Sequence, residues 1–144
     1  MATKITEKEN KVINQVAGDE IVTLLQTLIQ ERSDYPPGDT RGAIDVIAQL
    51  LEDEGISFEV LSKKEHQPSL IAHYGSNADG DRLVYHAHID TVPPGDVDEW
   101  TVDPFAGEIN RGRIYGRGAG DDKGSVAAQL MALVALARAE IPLQ

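Results

Sequence analysis

The chain has 144 residues, 41% of them hydrophobic and 26% charged, enough for one soluble domain around a single core. Its 24 acidic residues against 13 basic ones leave a net charge of −11, a field that repels phosphate backbones and anionic lipid and so argues against nucleic acid or a membrane surface as a partner. With no cysteine, disulfides and thiolate metal sites are excluded, and any metal must rest on His, Asp and Glu.

Residues 1–17 are polar and weakly patterned, a frayed leading helix or a mobile tail. Ile21, Leu24, Leu25, Leu28 and Ile29 then recur at helical spacing, with Asp19 placed to cap the helix. Ser33-Asp34-Tyr35-Pro36-Pro37-Gly38 breaks the pattern, since paired prolines forbid continuation. A second helix follows, capped by Asp39 or Thr40, striped by Ile44, Ile47, Leu50 and Leu51, and stopped at Gly55. Residues 56–61, 69–74 and 82–88 read as strands parted by polar turns such as Asn77-Ala78-Asp79-Gly80. Residues 107–110 and 113–115 predict a hairpin around Arg111-Gly112. A last helix from Asp122 to about Ala139 is apolar almost all round and expects cover on several sides, and Pro142 ends it.

Helices, strands and a buried helix in this order define an α/β layered domain. A chain that stops just after so apolar a helix reads as cut. The start, MATKITEKENK, lacks an apolar signal segment, and the apolar stretch 126–137, interrupted by Gln129, is too short to span a bilayer. The reading is a soluble, cytoplasmic protein.

His88-Ile89-Asp90 ends an apolar run. On a strand, side chains two apart point to the same side, so His88 and Asp90 share a face. A carboxylate on one imidazole nitrogen fixes the tautomer and aims the other at a metal. A bare pair is also what a strand end decorated by chance would show. The segment from Gly116 to Gly124, Gly-Arg-Gly-Ala-Gly-Asp-Asp-Lys-Gly, is not a phosphate loop: Asp122 precedes Lys123 where a glycine is needed, and Gly124 follows it where Ser or Thr is needed. Its glycines are spaced G-x-G-x-G, which fails the dinucleotide fingerprint. Two aspartates would repel a phosphate, whereas they suit a cation.

Taken together, Leu83-Val84-Tyr85-His86-Ala87-His88-Ile89-Asp90-Thr91-Val92-Pro93, then Trp100 with Asp103-Pro104-Phe105, then Ile114 through Gly124, resemble the metal-dependent aminoacylase and carboxypeptidase family. That family includes acetylornithine deacetylase, succinyl-diaminopimelate desuccinylase and glutamate carboxypeptidase. The similarity runs from about Ile21 to the C-terminus and includes the Pro36-Pro37-Gly38 turn. It implies a twisted mixed, largely parallel sheet with helices on both faces, equivalent to the N-terminal part of a di-zinc exopeptidase catalytic domain in residues 18–144. It also implies that His88 is a first-metal ligand, Asp121 the aspartate bridging two zinc ions, and Asp90 the catalytic carboxylate that orients His88. Asp122 falls on a variable position, after a cis Asp121–Asp122 bond. The cofactor implied is zinc, with cobalt or manganese as replacements.

The implied activity is hydrolysis of the amide bond of an N-acyl amino acid or small peptide, and the resemblance implies a homodimer as the assembly open to the full-length form. Substrate-binding residues are unassigned here. The family's paired glutamates, which supply the general base and a ligand, lie beyond the last helix, as do a late histidine and the lid domain. Glu140, unpaired at a helix end, is no substitute. The alternative is a catalytically silent truncated remnant, or one half of a split enzyme acting through a partner chain. His66 and His73 read as surface or strand residues, His86 as sharing a face with His88, and Trp100 and Phe105 as loop packing. Arg117 reads as a bond to its own turn, and Asp96, Asp98 and Glu99 as a solvated loop.

Overall fold

The structure, a computed structural model, describes residues 5–75 and 81–141. Helix α1 (Glu7–Ile13) buries no residue and is held by a capping box, Thr6 with Glu9. Of the two readings of the polar leader, the helix is the one observed. Helix α2 (Gly18–Gln30) buries Leu24, Leu28 and Ile29. Asp19 does not cap it: Ala17 occupies that position, and Asp19 lies inside the first turn, where its backbone carbonyl accepts from the Thr23 hydroxyl.

Helix α3 (Arg41–Asp53) buries Ala43, Ile44, Ile47 and Leu51. Thr40 occupies the N-cap without bonding the helix through its side chain, while Asp39 accepts from the Arg41 backbone amide at 3.2 Å. Gly55, in the left-handed region at φ +65°, ends the helix, as its placement in the sequence indicates.

Strands β1 (Ser57–Leu61) and β2 (Ser69–His73) pair antiparallel, and β3 (Glu108–Asn110) and β4 (Arg113–Tyr115) do the same. The second hairpin turns through Arg111 at φ 51° and Gly112 at φ 74°, the two positive values that a tight primed turn requires. Helix α4 (Lys123–Arg138) lies against α2 and buries Val126, Ala127, Met131, Val134 and Ala135. Leu24, Leu28, Ala43, Ile47, Leu51, Ile56 and these α4 residues form the core, with Phe58, Leu70 and Ala72 of the first hairpin packed on its edge. Arg138 clamps the far end, reaching Glu54 through two nitrogens and Glu20 at 2.8 Å.

The class is α/β, but the sheet differs from the one expected. The described strands form two antiparallel ladders, and the one parallel pairing among the described residues is the bridge Asp34↔Thr91. Residues 82–88 form no strand. No backbone–backbone hydrogen bond joins them to another described segment, and Leu83 and Val84 are each 80% exposed. A β-prone run becomes a strand only when a neighbour completes its ladder. The alternation nevertheless survives: Ala87 and Ile89 pack on the core while His88 and Asp90 face outward. The expected turn at residues 77–80 and the stop at Pro142 lie outside the described residues. No helix described here is long and apolar enough to cross a membrane.

Leu51 is fully buried between α3 and the core, so Leu51→Ala removes its contacts and leaves a cavity. The expected loss is about 2–5 kcal/mol of unfolding free energy. Val60→Thr on the exposed side of β1 should stay within about 0.5 kcal/mol. Urea denaturation of the two variants checks this, and equal midpoints would refute the core assignment.

Candidate metal centre

Two segments far apart in the chain meet at this site. The first carries His88 and Asp90 out of the 82–90 run, and the second is the glycine-rich turn ahead of α4. Gly118, at φ +86°, admits a bend that other residues resist, and a Cβ there would lie 2.8 Å from Thr91 Cγ2. A Cβ on Gly116 would lie 2.6 Å from Ile29 Cγ2. These two glycines therefore let the turn lie directly on α2 and on Thr91, which brings Asp121 to His88. The Asp121–Asp122 peptide is cis, as the family resemblance implies.

His88 Nε2 is 3.0 Å from Asp121 Oδ1, across 33 residues of sequence. Its other nitrogen, Nδ1, lies 2.9 Å from the Asp90 carbonyl oxygen and 3.3 Å from the Asp90 carboxylate. Oxygen atoms face both ring nitrogens, an arrangement that favours the protonated imidazolium, which can donate from each. Partial burial works against charging this ring. The hydrogen bonds to Asp121 and the Asp90 carbonyl, together with the charge of the two carboxylates, outweigh it and raise the His88 pKa above histidine's usual value.

Asp122 is not idle. Its Oδ2 accepts from the His88 backbone amide at 3.4 Å, and a hydrogen bond from Ser125 holds its carboxyl below the usual range. A pocket of about 220 Å³ is lined by Tyr35, His88, Asp90, Thr91, Val92 and Asp121. Tyr35 stands in the Ser33–Gly38 turn and Thr91 and Val92 in the run that ends at Pro93, but their residue types do not mark them as site residues; the pocket does.

The donor set decides what the pocket can hold. An imidazole nitrogen and a carboxylate oxygen suit zinc, cobalt or manganese. Among the described residues, no group of three His, Asp or Glu side chains gathers for a metal, so the pair His88 and Asp121 falls short of the three or four protein ligands that a zinc site takes. His86 shares the parity of His88 but does not line the pocket, and its carbonyl accepts from Gln129. His73 sits on β2, 3.6 Å from Glu59. Trp100 donates to the Pro94 carbonyl, and Arg117 stacks over its ring while bonding the same carbonyl. Phe105 lies under Arg32.

Lys123 escaped the motif reading. It follows the two aspartates, yet its side chain is 1% exposed, and its Nζ donates to the carbonyls of Leu28 and Glu31 at 2.7 Å each. Burial pushes this ammonium down to about 8, against the pull of the Glu31 and Asp34 carboxylates.

Residues 84–144 match the family model described as Peptidase family M20/M25/M40. The chain is 39% identical over 113 residues to succinyl-diaminopimelate desuccinylase of Wolbachia pipientis subsp. Culex pipiens, covering 78% of this chain and 27% of that protein. It is 42% identical over 123 residues to the Methylobacterium radiotolerans protein of the same name, covering 83% and 30%. Its fold is similar to an M20 family metallo-carboxypeptidase, Sso-CP2 of Sulfolobus solfataricus, with TM-score 0.64, 30% identity, and 83% and 27% of the two chains covered. It is also similar to human carnosine dipeptidase 1, with TM-score 0.72, 25% identity, and 94% and 31% covered.

Over residues 84–144 the chain belongs to the M20 peptidase family. It spans between a quarter and a third of the length of these relatives.

In metal-free protein, the His88 ring should titrate above the ordinary 6.5, and Asp121→Asn should bring it down. A raised histidine pKa stabilises the fold fully below the unfolded value, and that contribution fades as pH rises through the folded one. NMR titration of the ring protons in the two proteins tests this; an unchanged His88 pKa in Asp121→Asn would refute the pairing.

Proposed function

We propose that this chain supplies the His88–Asp121 arm of a divalent-metal site in an amide hydrolase. Its substrate would be an N-acyl amino acid or a small peptide, and succinyl-amino acids head the candidates because the relatives described above are desuccinylases. The observation that carries the reading is the 3.0 Å approach of His88 Nε2 to Asp121, with Asp90 behind the ring. The metal proposed is zinc, with cobalt or manganese able to replace it; the Sulfolobus neighbour is described as a metallo-carboxypeptidase. When bound, such an ion polarises a scissile carbonyl and acidifies a water.

The chain's own residues do the rest of the work described here. Asp90 keeps the Nδ1 proton, which leaves the Nε2 lone pair for a cation. Asp121 supplies negative charge beside it. Tyr35, Thr91 and Val92 wall the pocket. No glutamate lines that pocket, so the group that takes the proton from water is proposed to come from outside these residues. The full-length form proposed is a cytoplasmic homodimer.

A second reading is favoured by the two-ligand donor set: alone, the chain would be a silent remnant, or half of a split enzyme completed by a partner.

Competition against a chromophoric chelator tests the first reading. Zinc should bind weakly, one ion per chain, and release about one proton below the raised His88 pKa. His88→Ala and Asp121→Asn should each abolish measurable binding, and Asp90→Ala should weaken it about 10- to 100-fold. Equal affinity of His88→Ala and the unaltered chain would refute the site. Hydrolysis of an N-succinyl amino acid by the chain alone would refute the second reading.

A further inference from the structure

Lys123 is the largest fully buried side chain in the described fold. An aliphatic residue could fill the same space without taking an ammonium out of water, so its charge must be used. The last carbonyls of a helix have no donors within the helix and carry partial negative charge. Lys123 Nζ donates to two of them, Leu28 and Glu31, at the C-terminal end of α2. Its backbone amide donates to Gly118 at 3.0 Å, closing the turn that holds Asp121. One side of the site is thereby bolted to the end of α2.

The other side is bolted to the same place. The chain leaving α2 runs through Ser33, which is 1% exposed and whose hydroxyl donates to the Ile89 carbonyl at 2.6 Å. Ile89 stands between His88 and Asp90. The Thr91 amide donates to Ser33 at 3.1 Å, and the Tyr35 amide donates to Thr91 at 2.9 Å. The two ligand-bearing segments therefore share one abutment.

We infer that Lys123 and Ser33 are positioning residues that set the separation of His88 and Asp121 through the C-terminal end of α2. This rests on the reading of that pair as metal ligands. Ligand positions must hold to about 0.5 Å for a site to keep its affinity, so loosening either bolt weakens binding without removing a ligand. A residue that only supported the fold would lower stability and leave the affinity of folded molecules unchanged.

The test measures zinc affinity of Ser33→Ala, Lys123→Met and Lys123→Arg at a temperature where circular dichroism shows each variant folded. Leu51→Ala serves as a core variant on α3, outside the hydrogen bonds that tie both ligand segments to the end of α2, and visible absorption with cobalt(II) reports ligand geometry. Ser33→Ala and Lys123→Met should each bind zinc about 10- to 100-fold more weakly than Leu51→Ala, with a shifted cobalt spectrum. Lys123→Arg should recover part of that loss by keeping the charge. Affinities within twofold of Leu51→Ala, with an unshifted spectrum, overturn the inference. If Lys123→Met does not fold, Ser33→Ala, which removes one hydroxyl, decides by the same criterion. The unaltered chain binding zinc no better than His88→Ala would instead overturn the metal site, and the inference with it.

Discussion

A buried ammonium on a helix end is the interaction on which the arrangement depends. Removing a charge of this size from water costs several kcal/mol even after relaxation. The two 2.7 Å bonds from Lys123 to the Leu28 and Glu31 carbonyls offset much of this, since hydrogen bonds to charged groups contribute about 1.5–3 kcal/mol each. Those carbonyls gain donors that α2 cannot give them. The turn after Gly116 is thereby held against α2 by the charge of Lys123 as well as by glycine packing, and Asp121 stands on that turn. Ser33 transmits the same helix end to the segment of His88 and Asp90.

That shared abutment explains how a largely exposed pair can be ordered. Asp121 is almost wholly in solvent and His88 is about half so, so their attraction is screened and would not by itself hold two segments together. The backbone beneath them does so. What remains to the pair is chemistry: one imidazole nitrogen and one carboxylate facing each other, the ring already oriented by Asp90. The net charge of −11 attracts cations to the protein as a whole.

Much of this was legible in the residues. The period-2 alternation put His88 and Asp90 on one face, and the structure keeps that parity even though the run 82–88 forms no strand. The Arg111-Gly112 turn, the α3 stripe and the stop at Gly55 follow local rules, and local rules are readable. Pairing is not local. Whether residues 82–88 join a ladder depends on a neighbour, and among the described residues none is joined to them backbone to backbone. Asp19 misled because any early acidic residue resembles a cap, whereas the chain enters the helix at Ala17. Lys123 was hidden for a different reason: a lysine reads as surface, and only the two carbonyls it meets, more than 90 residues away in the chain, reverse that.

X-ray absorption at the zinc edge, on protein carrying one equivalent of zinc, tests the central claim most directly. The account predicts a first shell of nitrogen and oxygen only, with the outer-shell scattering of an imidazole that disappears in His88→Ala. An imidazole signal that persists unchanged in His88→Ala would contradict it, because the ion would then be bound elsewhere.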